Sequence, residues 1–262
     1  DKSIFVKFKL RNENKYILIW TTTPWTLVFN LAVMVNPNLD YVEAEVEGET
    51  WIVARDLADQ VINKTLGKKY IITEEFKGSE LKGMRYEHPW ENEINDYTKL
   101  KTKHPKVHTV VLSKEYVNLQ AGTGLVHCAP GCGPEDYEVG YENKIPPYNN
   151  IDEKGIFPSN MGSFSGLRAK VDDKKFVQKL EESGALVGTQ DVEHDYAHHE
   201  RCSTPVIFKT TKQWFFKIED LKEKMLQDNK GIHWVPESMK NAYDSWLENL
   251  RDNSITRQRY WG

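Results

Sequence analysis

The chain has 262 residues, a net charge of -4, 39% hydrophobic and 28% charged residues. These values exclude intrinsic disorder, and no apolar run approaches the ~20 residues a membrane-spanning helix needs. The acidic balance also excludes binding nucleic acid through bulk charge, so any such partner has to be recognised at a local site. The length predicts one large domain or one domain with an appendage. Cysteines at 128, 132 and 202 are odd in number and predict free thiols in a reducing cytoplasm rather than a disulfide framework. The chain opens on Asp1 rather than Met, and the expectation is a fragment of something larger.

In chain order, Ile4 to Lys9 alternates apolar and polar residues and predicts a half-buried strand. Arg11-Asn12-Glu13-Asn14 has hairpin chemistry, and the apolar run within Lys15 to Thr21 predicts the partner strand. Tyr41 to Val46 and Thr50 to Val53 predict a second hairpin, turning at Glu47-Gly48-Glu49. Asp56 to Leu66 places Leu57, Val61, Ile62 and Leu66 on one helical face, with Gly67 as its stop. Val107 to Leu112 predicts another strand, and Lys174 to Glu182 a helix capped by Asp172 or Asp173. From about residue 211 the β-rich character fades. Trp214-Phe215-Phe216 precedes a short helix near Glu219 to Leu226 and a longer one over Glu237 to Leu250, opened by Pro236. These elements predict a mixed α+β chain with a core domain over 1–210 and a connecting stem over 211–262.

Four segments carry candidate chemistry. Trp20-Thr21-Thr22-Thr23-Pro24-Trp25-Thr26-Leu27, followed by Asn30, crowds hydroxyls, a proline and two indoles where a strand gives way to a loop. Singly, the threonines read as a β-branched strand end; together they offer several donors and acceptors to a polar substrate. Gly122 to Tyr137 holds four glycines and two prolines, with His127 at a strand end and Asp136 at the start of a helix. Taken alone, the segment reads first as a tight turn with Asp136 as N-cap; it matches neither G-x-x-x-x-G-K-[ST] nor G-x-G-x-x-G, which argues against a nucleotide loop. In His194 to Pro205, His199 and Cys202 have the spacing of half a zinc site, the alternative being a polar turn with surface histidines. Cys128 and Cys132 could complete four ligands only by count. Ser254 to Gly262 is basic and aromatic.

Taken together these segments resemble isoleucyl-tRNA synthetases. Trp20 to Leu27 resembles the threonine-rich editing peptide of that family. Leucyl and valyl relatives usually carry arginine at the position of Thr23, so three threonines before Pro24-Trp25 point to the isoleucyl branch. Gly122 to Tyr137 resembles the second editing segment, and 254–262 the return into the catalytic domain. The ATP-binding signatures of the synthetic domain are not matched. Two departures stand out: many bacterial relatives have histidine in place of Cys132, and many relatives have cysteine in place of His199, with a second cysteine pair upstream of Asp1.

The resemblance implies an inserted editing domain. Its fold would be a compact β-barrel with peripheral helices, followed by a helical and extended C-terminal stem. Its activity would be hydrolysis of valine mischarged onto the isoleucine tRNA. Asp136 would grip the substrate ammonium, Thr22 and Thr23 would hold the amino acid and place water, and His127 would bound the side-chain pocket or act as base. Trp20, Thr21, Trp25, Thr26, Asn30 and Tyr196 complete the expected substrate-binding set. Editing itself would need no cofactor; ATP, with or without zinc, belongs to the parent enzyme. The expected partners are the aminoacyl end of tRNA(Ile) and the rest of the parent synthetase, with the protein a cytoplasmic monomer that touches no membrane. Two rivals follow from the same residues. One is a zinc-dependent hydrolase built on His127, Cys128, Cys132, His199 and Cys202; the other is a non-catalytic tRNA-binding module.

Overall fold

A computed structural model describes residues 1–256. It divides into two compact units, Asp1–Thr210 and Thr211–Gly262. The terminal segment singled out above lies outside the described residues from position 257 onward.

The first unit is built on a seven-stranded sheet. Its strands are β1 (Lys2–Leu10), β2 (Lys15–Thr21), β4 (Asp40–Val46), β5 (Glu49–Ala54), β6 (Ile71–Lys77) and β10 (Leu186–Asp191), in the order β10-β1-β2-β5-β4-β6, with β7 (Tyr86–Glu87) also pairing with β1. All pairs are antiparallel except β2 with β5. A second, three-stranded sheet holds β3 (Ala32–Val35) between β8 (Thr109–Leu112), parallel to it, and β9 (Leu125–Cys128), antiparallel. The described ladders therefore form open sheets, and the expected single closed barrel is corrected: among the described residues no pairing joins β10 to β6.

The central strands of the large sheet are covered on both faces, which explains why β2 and β5 are apolar rather than cleanly alternating, while the edge strand β6 is largely exposed and β10 partly so. Ile4, Val6, Phe8, Ile17 and Ile19 face the main core, while Phe5 and Leu18 face a smaller one with Val42, Trp51 and Val53. The smaller core is roofed by α1 (Arg55–Ala58), which widens into a π-helical stretch over Asp59–Thr65 that buries Val61 and Ile62. The half-buried strand expected at Ile4 to Lys9 is thus buried on both sides over its first half, and the helix expected at Asp56 to Leu66 is present in this irregular form. The β4–β5 hairpin turns on Glu47 and Gly48, at φ 52° and 86°, the paired left-handed geometry that matches strand twist. Helices α2 (Asp96–Lys103), α3 (Pro134–Asn143) and α4 (Asp173–Glu182) pack around the sheets.

The second unit holds a two-stranded ladder of β11 (Phe215–Phe216) and β12 (Asn253–Ser254) with α5 (Lys222–Asn229) and α6 (Ser238–Glu248). Asp252 Oδ1 accepts from the backbone N–H of Ile218 and Glu219 at 2.9 and 3.0 Å, and the buried Asn229 bridges Asp244 and Trp234. No helix among the described residues is long and apolar enough to cross a membrane.

One close approach ties the two sheets together. The Ala54 N–H at the end of β5 donates to Thr123 O at 2.9 Å, and Tyr41 OH donates to Gly124 O at 2.7 Å. Gly124 sits at φ +78°, and a Cβ there would lie 2.3 Å from Ala54 Cβ. Gly124→Ala is therefore expected to cost about 2 to 4 kcal/mol, strain plus overpacking. Gly48→Ala, also at positive φ but with nothing within 4 Å, should cost only the strain, about 1 kcal/mol. Denaturant unfolding of the two variants side by side checks the difference.

Candidate active site

The site lies where the end of β2 meets β9, at the junction of the two sheets. The chain leaves β2 at Thr21, turns through Thr22 and Thr23, and enters a 3-10 helix over Pro24–Phe29 with Pro24 at its first position. Proline suits that position because its fixed φ is already helical and its missing N–H would have found no helical partner. Thr23 N–H donates to Thr21 Oγ1 at 3.1 Å, and Thr26 returns both its N–H and its hydroxyl to Thr23 O at 3.2 and 2.8 Å. The turn is thereby locked by its own threonines.

Across the junction, His127 stands on β9 opposite Val33 of β3. Its Nε2 lies 3.1 Å from Thr26 Oγ1. Since the Thr26 hydroxyl proton is directed to Thr23 O, Nε2–H is the donor in this contact, leaving Nδ1 as a buried acceptor with no partner. Desolvation pushes the imidazole pKa down to about 4, so His127 is neutral at pH 7.

Asp136 is the third residue of α3. The N-cap is Gly133, which corrects the reading of Asp136 as cap. The first turn places its carboxylate near the positive end of the helix, and the Ala129 N–H bonds it; yet desolvation dominates and raises its pKa to about 6. The loop before it is held by Cys132 N–H to Ala129 O (2.8 Å) and by Asn149 Nδ2 to Gly131 O (3.1 Å).

Asp136, His127, Trp20, Thr21 and Thr22 all line one cavity of about 440 Å³. Thr23 adjoins it, its hydroxyl 3.5 Å from that of Thr22. Thr26 lies behind the wall, bonded to His127. The rest of the expected set lies elsewhere. Trp25 is buried edge-on to Phe29, with ring centroids 6.2 Å apart. Asn30 is fully buried; its Oδ1 accepts from Tyr86 OH at 2.5 Å and its Nδ2 donates to Ala32 O at 2.8 Å, so it braces the backbone and does not reach the cavity. Tyr196 donates to Val206 O at 3.0 Å with Lys170 Nζ 4.6 Å over its ring, among His194 and His198. The cavity also takes residues that the sequence analysis passed over: Tyr116, Asn118, Gln120 and Thr123. The polar run between β8 and the glycines was the signal for the first three, and Thr123 stands between Gly122 and Gly124 of the segment already singled out.

The five residues of the zinc rival are not brought together. Cys128 and Cys132 are buried, with Cys128 Sγ directed at Asp136 O (3.6 Å) and Cys132 Sγ accepting from Asn149 (3.4 Å). Burial pushes both thiols up, away from the thiolate a metal takes. His199 and Cys202 do adjoin, Nδ1 to Sγ 3.5 Å, but they are exposed, and no group of three metal-binding side chains occurs among the described residues.

Against this geometry, the family model for tRNA synthetases class I (I, L, M and V) matches residues 12–262. The chain belongs to the class I tRNA synthetases. It is 44% identical to the isoleucine-tRNA ligase of Pyrococcus abyssi and 43% identical to that of Methanocaldococcus jannaschii, over its whole length in both cases. It spans about a quarter of the length of these relatives, 25% and 26%. The isoleucyl character read from the threonines agrees with both. Among solved structures, the crystal structure of GlLeuRS-CP1 superposes with a TM-score of 0.55 at 16% identity, covering 73% of this chain and all of that one. This establishes a shared mixed α+β fold.

Because burial disfavours the Asp136 carboxylate in the folded protein, its charge works against folding. Below the ordinary aspartate value of 3.8 the group is protonated folded and unfolded alike, and nothing is lost; the penalty grows as pH rises and is complete above about 6. Asp136→Asn is expected to be more stable than the parent by on the order of 2 kcal/mol at neutral pH, with the difference vanishing below about pH 4. Unfolding at a series of pH values checks this. A difference that grew in acid would contradict it.

Proposed function

We propose that this domain hydrolyses the ester of valine mischarged onto the isoleucine tRNA. The supporting observation is the single cavity that gathers a carboxylate, a neutral histidine and a threonine turn from segments a hundred residues apart. Isoleucine and valine differ by one methylene, worth about 1 to 3 kcal/mol in a pocket, and isoleucyl enzymes are the usual illustration of that limit. A second site that admits valine and rejects isoleucine by size removes the error.

Asp136 pairs with the substrate ammonium in charge-assisted hydrogen bonds. Bringing that cation next to a desolvated carboxylate relieves the burial that raises its pKa, so binding and ionisation favour each other. Thr22 and Thr23 hold the ester and a water, and Thr21 supports them through its bond to Thr23 N–H. The ester is already activated. What remains is to place the water and to stabilise charge on the carbonyl oxygen as it develops. His127 serves as a wall rather than a base. A pKa of about 4 and an Nδ1 sealed from solvent make it a poor proton acceptor at pH 7. Its rigid ring limits the room beside the substrate's branch. The vicinal ribose hydroxyl of the terminal adenosine is the group that assists the water. No cofactor is called for in these steps. The partner is the single-stranded 3' end of the tRNA, presented by the rest of the parent synthetase.

Deacylation of tRNA(Ile) charged with valine or with isoleucine tests the reading. Cleavage of the valyl ester and sparing of the isoleucyl ester are expected. Asp136→Ala should reduce valyl cleavage by at least about a hundredfold, and His127→Ala should let the isoleucyl ester be cleaved. The kcat/KM profile should fall below about pH 6, the ionisation of Asp136 in the free domain, while kcat should hold to lower pH because the bound ammonium favours the carboxylate. Binding of the tRNA end without cleavage would instead identify a non-catalytic module, and unchanged cleavage by Asp136→Ala would remove the mechanism.

A further inference from the structure

The 3-10 turn that carries Thr26 ends at Phe29; its last bond runs from Asn30 N–H to Leu27 O at 3.1 Å, so the second lone pair of Leu27 O and the carbonyls beyond it need partners from outside the turn. Here the partners are buried polar side chains from distant parts of the chain. Leu27 O is met at 2.9 Å by His88 Nε2, Val28 O at 2.7 Å by Tyr97 OH, and Asn30 O at 3.2 Å by His108 Nε2. Tyr86 OH holds Asn30 Oδ1 at 2.5 Å. All of these residues are at most 3% exposed, and none lines the cavity. The rings pack on one another: His88 against Tyr97 at 4.9 Å, Tyr97 against His108 at 4.6 Å, and His88 on His108 at 5.3 Å.

The hydrogen-bond directions are determined. A carbonyl can only accept, so His88 and His108 each carry their proton on Nε2. His88 Nδ1 in turn accepts from Trp90 N–H at 3.1 Å. Burial pushes both imidazoles well below their ordinary pKa, His88 to about 3, so the donors stay neutral throughout the working pH range. A buried, mutually packed set of donors of this kind is costly to leave half satisfied, and it specifies one backbone position for the turn.

We infer that His88, Tyr97, His108 and Tyr86 are positioning residues for the cavity: by clamping the carbonyls of Leu27, Val28 and Asn30, they hold the Thr26 hydroxyl against His127 and so set the width of the amino-acid pocket. The chain of contacts is continuous. The clamped turn presents Thr26, Thr26 bonds His127 Nε2, and His127 lines the cavity. Loosening the clamp frees the histidine ring to tilt, although no clamp residue touches the substrate. The effect on selectivity rests on the hydrolytic reading above; the effect on His127 does not.

The experiment has two arms on the same variants. Tyr97→Phe removes one hydroxyl and keeps the ring. Tyr86→Phe is a second deletion of the same size. His88→Asn keeps the acceptor for Trp90 N–H but loses the reach to Leu27 O, whereas His88→Gln restores a donor towards Leu27 O. The first arm needs no substrate: nitrogen NMR of the His127 ring and hydrogen exchange of the Thr26 and Asn30 amides in the free protein. The parent should show a single Nε2–H tautomer. Tyr97→Phe, Tyr86→Phe and His88→Asn should show mixed tautomers and exchange at least about tenfold faster at these amides. His88→Gln should resemble the parent.

The second arm is deacylation of valyl- and isoleucyl-tRNA(Ile). The deletion variants should lose roughly ten- to a hundredfold in kcat on the valyl ester with KM held, as misplacement of a few tenths of an ångström to 1 Å does, and should gain cleavage of the isoleucyl ester. Variants that remain folded by their melting transitions yet leave the His127 spectrum and the amide exchange unchanged overturn the inference. An altered His127 in the deletion variants, together with a parent that cleaves neither ester, supports the clamp and removes the hydrolytic reading. An altered His127 with unchanged selectivity overturns the claim that the clamp sets pocket width.

Discussion

One hydroxyl joins the two halves of the site. Thr26 Oγ1 gives its proton to Thr23 O and takes one from His127 Nε2, so a single atom closes the threonine turn and orients the imidazole across the junction of the sheets. Because the proton directions are determined by which groups can only accept, the tautomer of His127 follows from the backbone carbonyl of Thr23. A serine could offer the same donor and acceptor. The methyl group of threonine narrows the choice of χ1 in a buried position, and the bond to Thr23 O selects the rotamer.

The same burial has opposite consequences for the two titratable groups of the cavity. Taking Asp136 out of water raises its pKa, and taking His127 out of water lowers its own; both effects favour the neutral form. At pH 7 only His127 is neutral; a pKa of about 6 leaves Asp136 mainly a carboxylate held at a desolvation cost, and a bound cation offsets that cost. This separation, one side ionisable near neutrality and one side inert, underlies the proposed division in which Asp136 takes the amine and His127 the shape.

Much of the strand framework was legible because the chain uses local signals. Lys15 to Thr21 was read to the residue, and the Glu47-Gly48 turn was marked by the one residue type that accepts φ 86° without strain. The seam of the site was legible as composition: three threonines before Pro24, and glycines around His127. Other features were not, for physical reasons. Whether sheets close into a barrel depends on ladders between distant strands, to which periodicity is blind. The π-helical widening over Asp59–Thr65 keeps the apolar face of an ordinary helix while changing its hydrogen bonds. Asp136 read as a cap because acidic residues favour both the cap and the first turn; Gly133, with extended φ and ψ, takes the cap. Tyr196 and Asn30 were placed with the site by the resemblance, whereas their hydrogen bonds are spent on Val206 and Ala32. The clamp of His88, Tyr97 and His108 had no sequence signal, since isolated aromatic and imidazole residues carry no period.

Thr26 and His127 stand 101 positions apart, and His127 is brought to the turn on β9, which pairs antiparallel with β3 across a long connection. Contacts of that range carry the largest loop-closure cost and form late. A chain emerging from the ribosome therefore has the threonine turn long before it has a pocket. On the proposed function, until residues beyond Asp136 are made and both sheets are docked there is no compartment in which one aliphatic ester could be told from another.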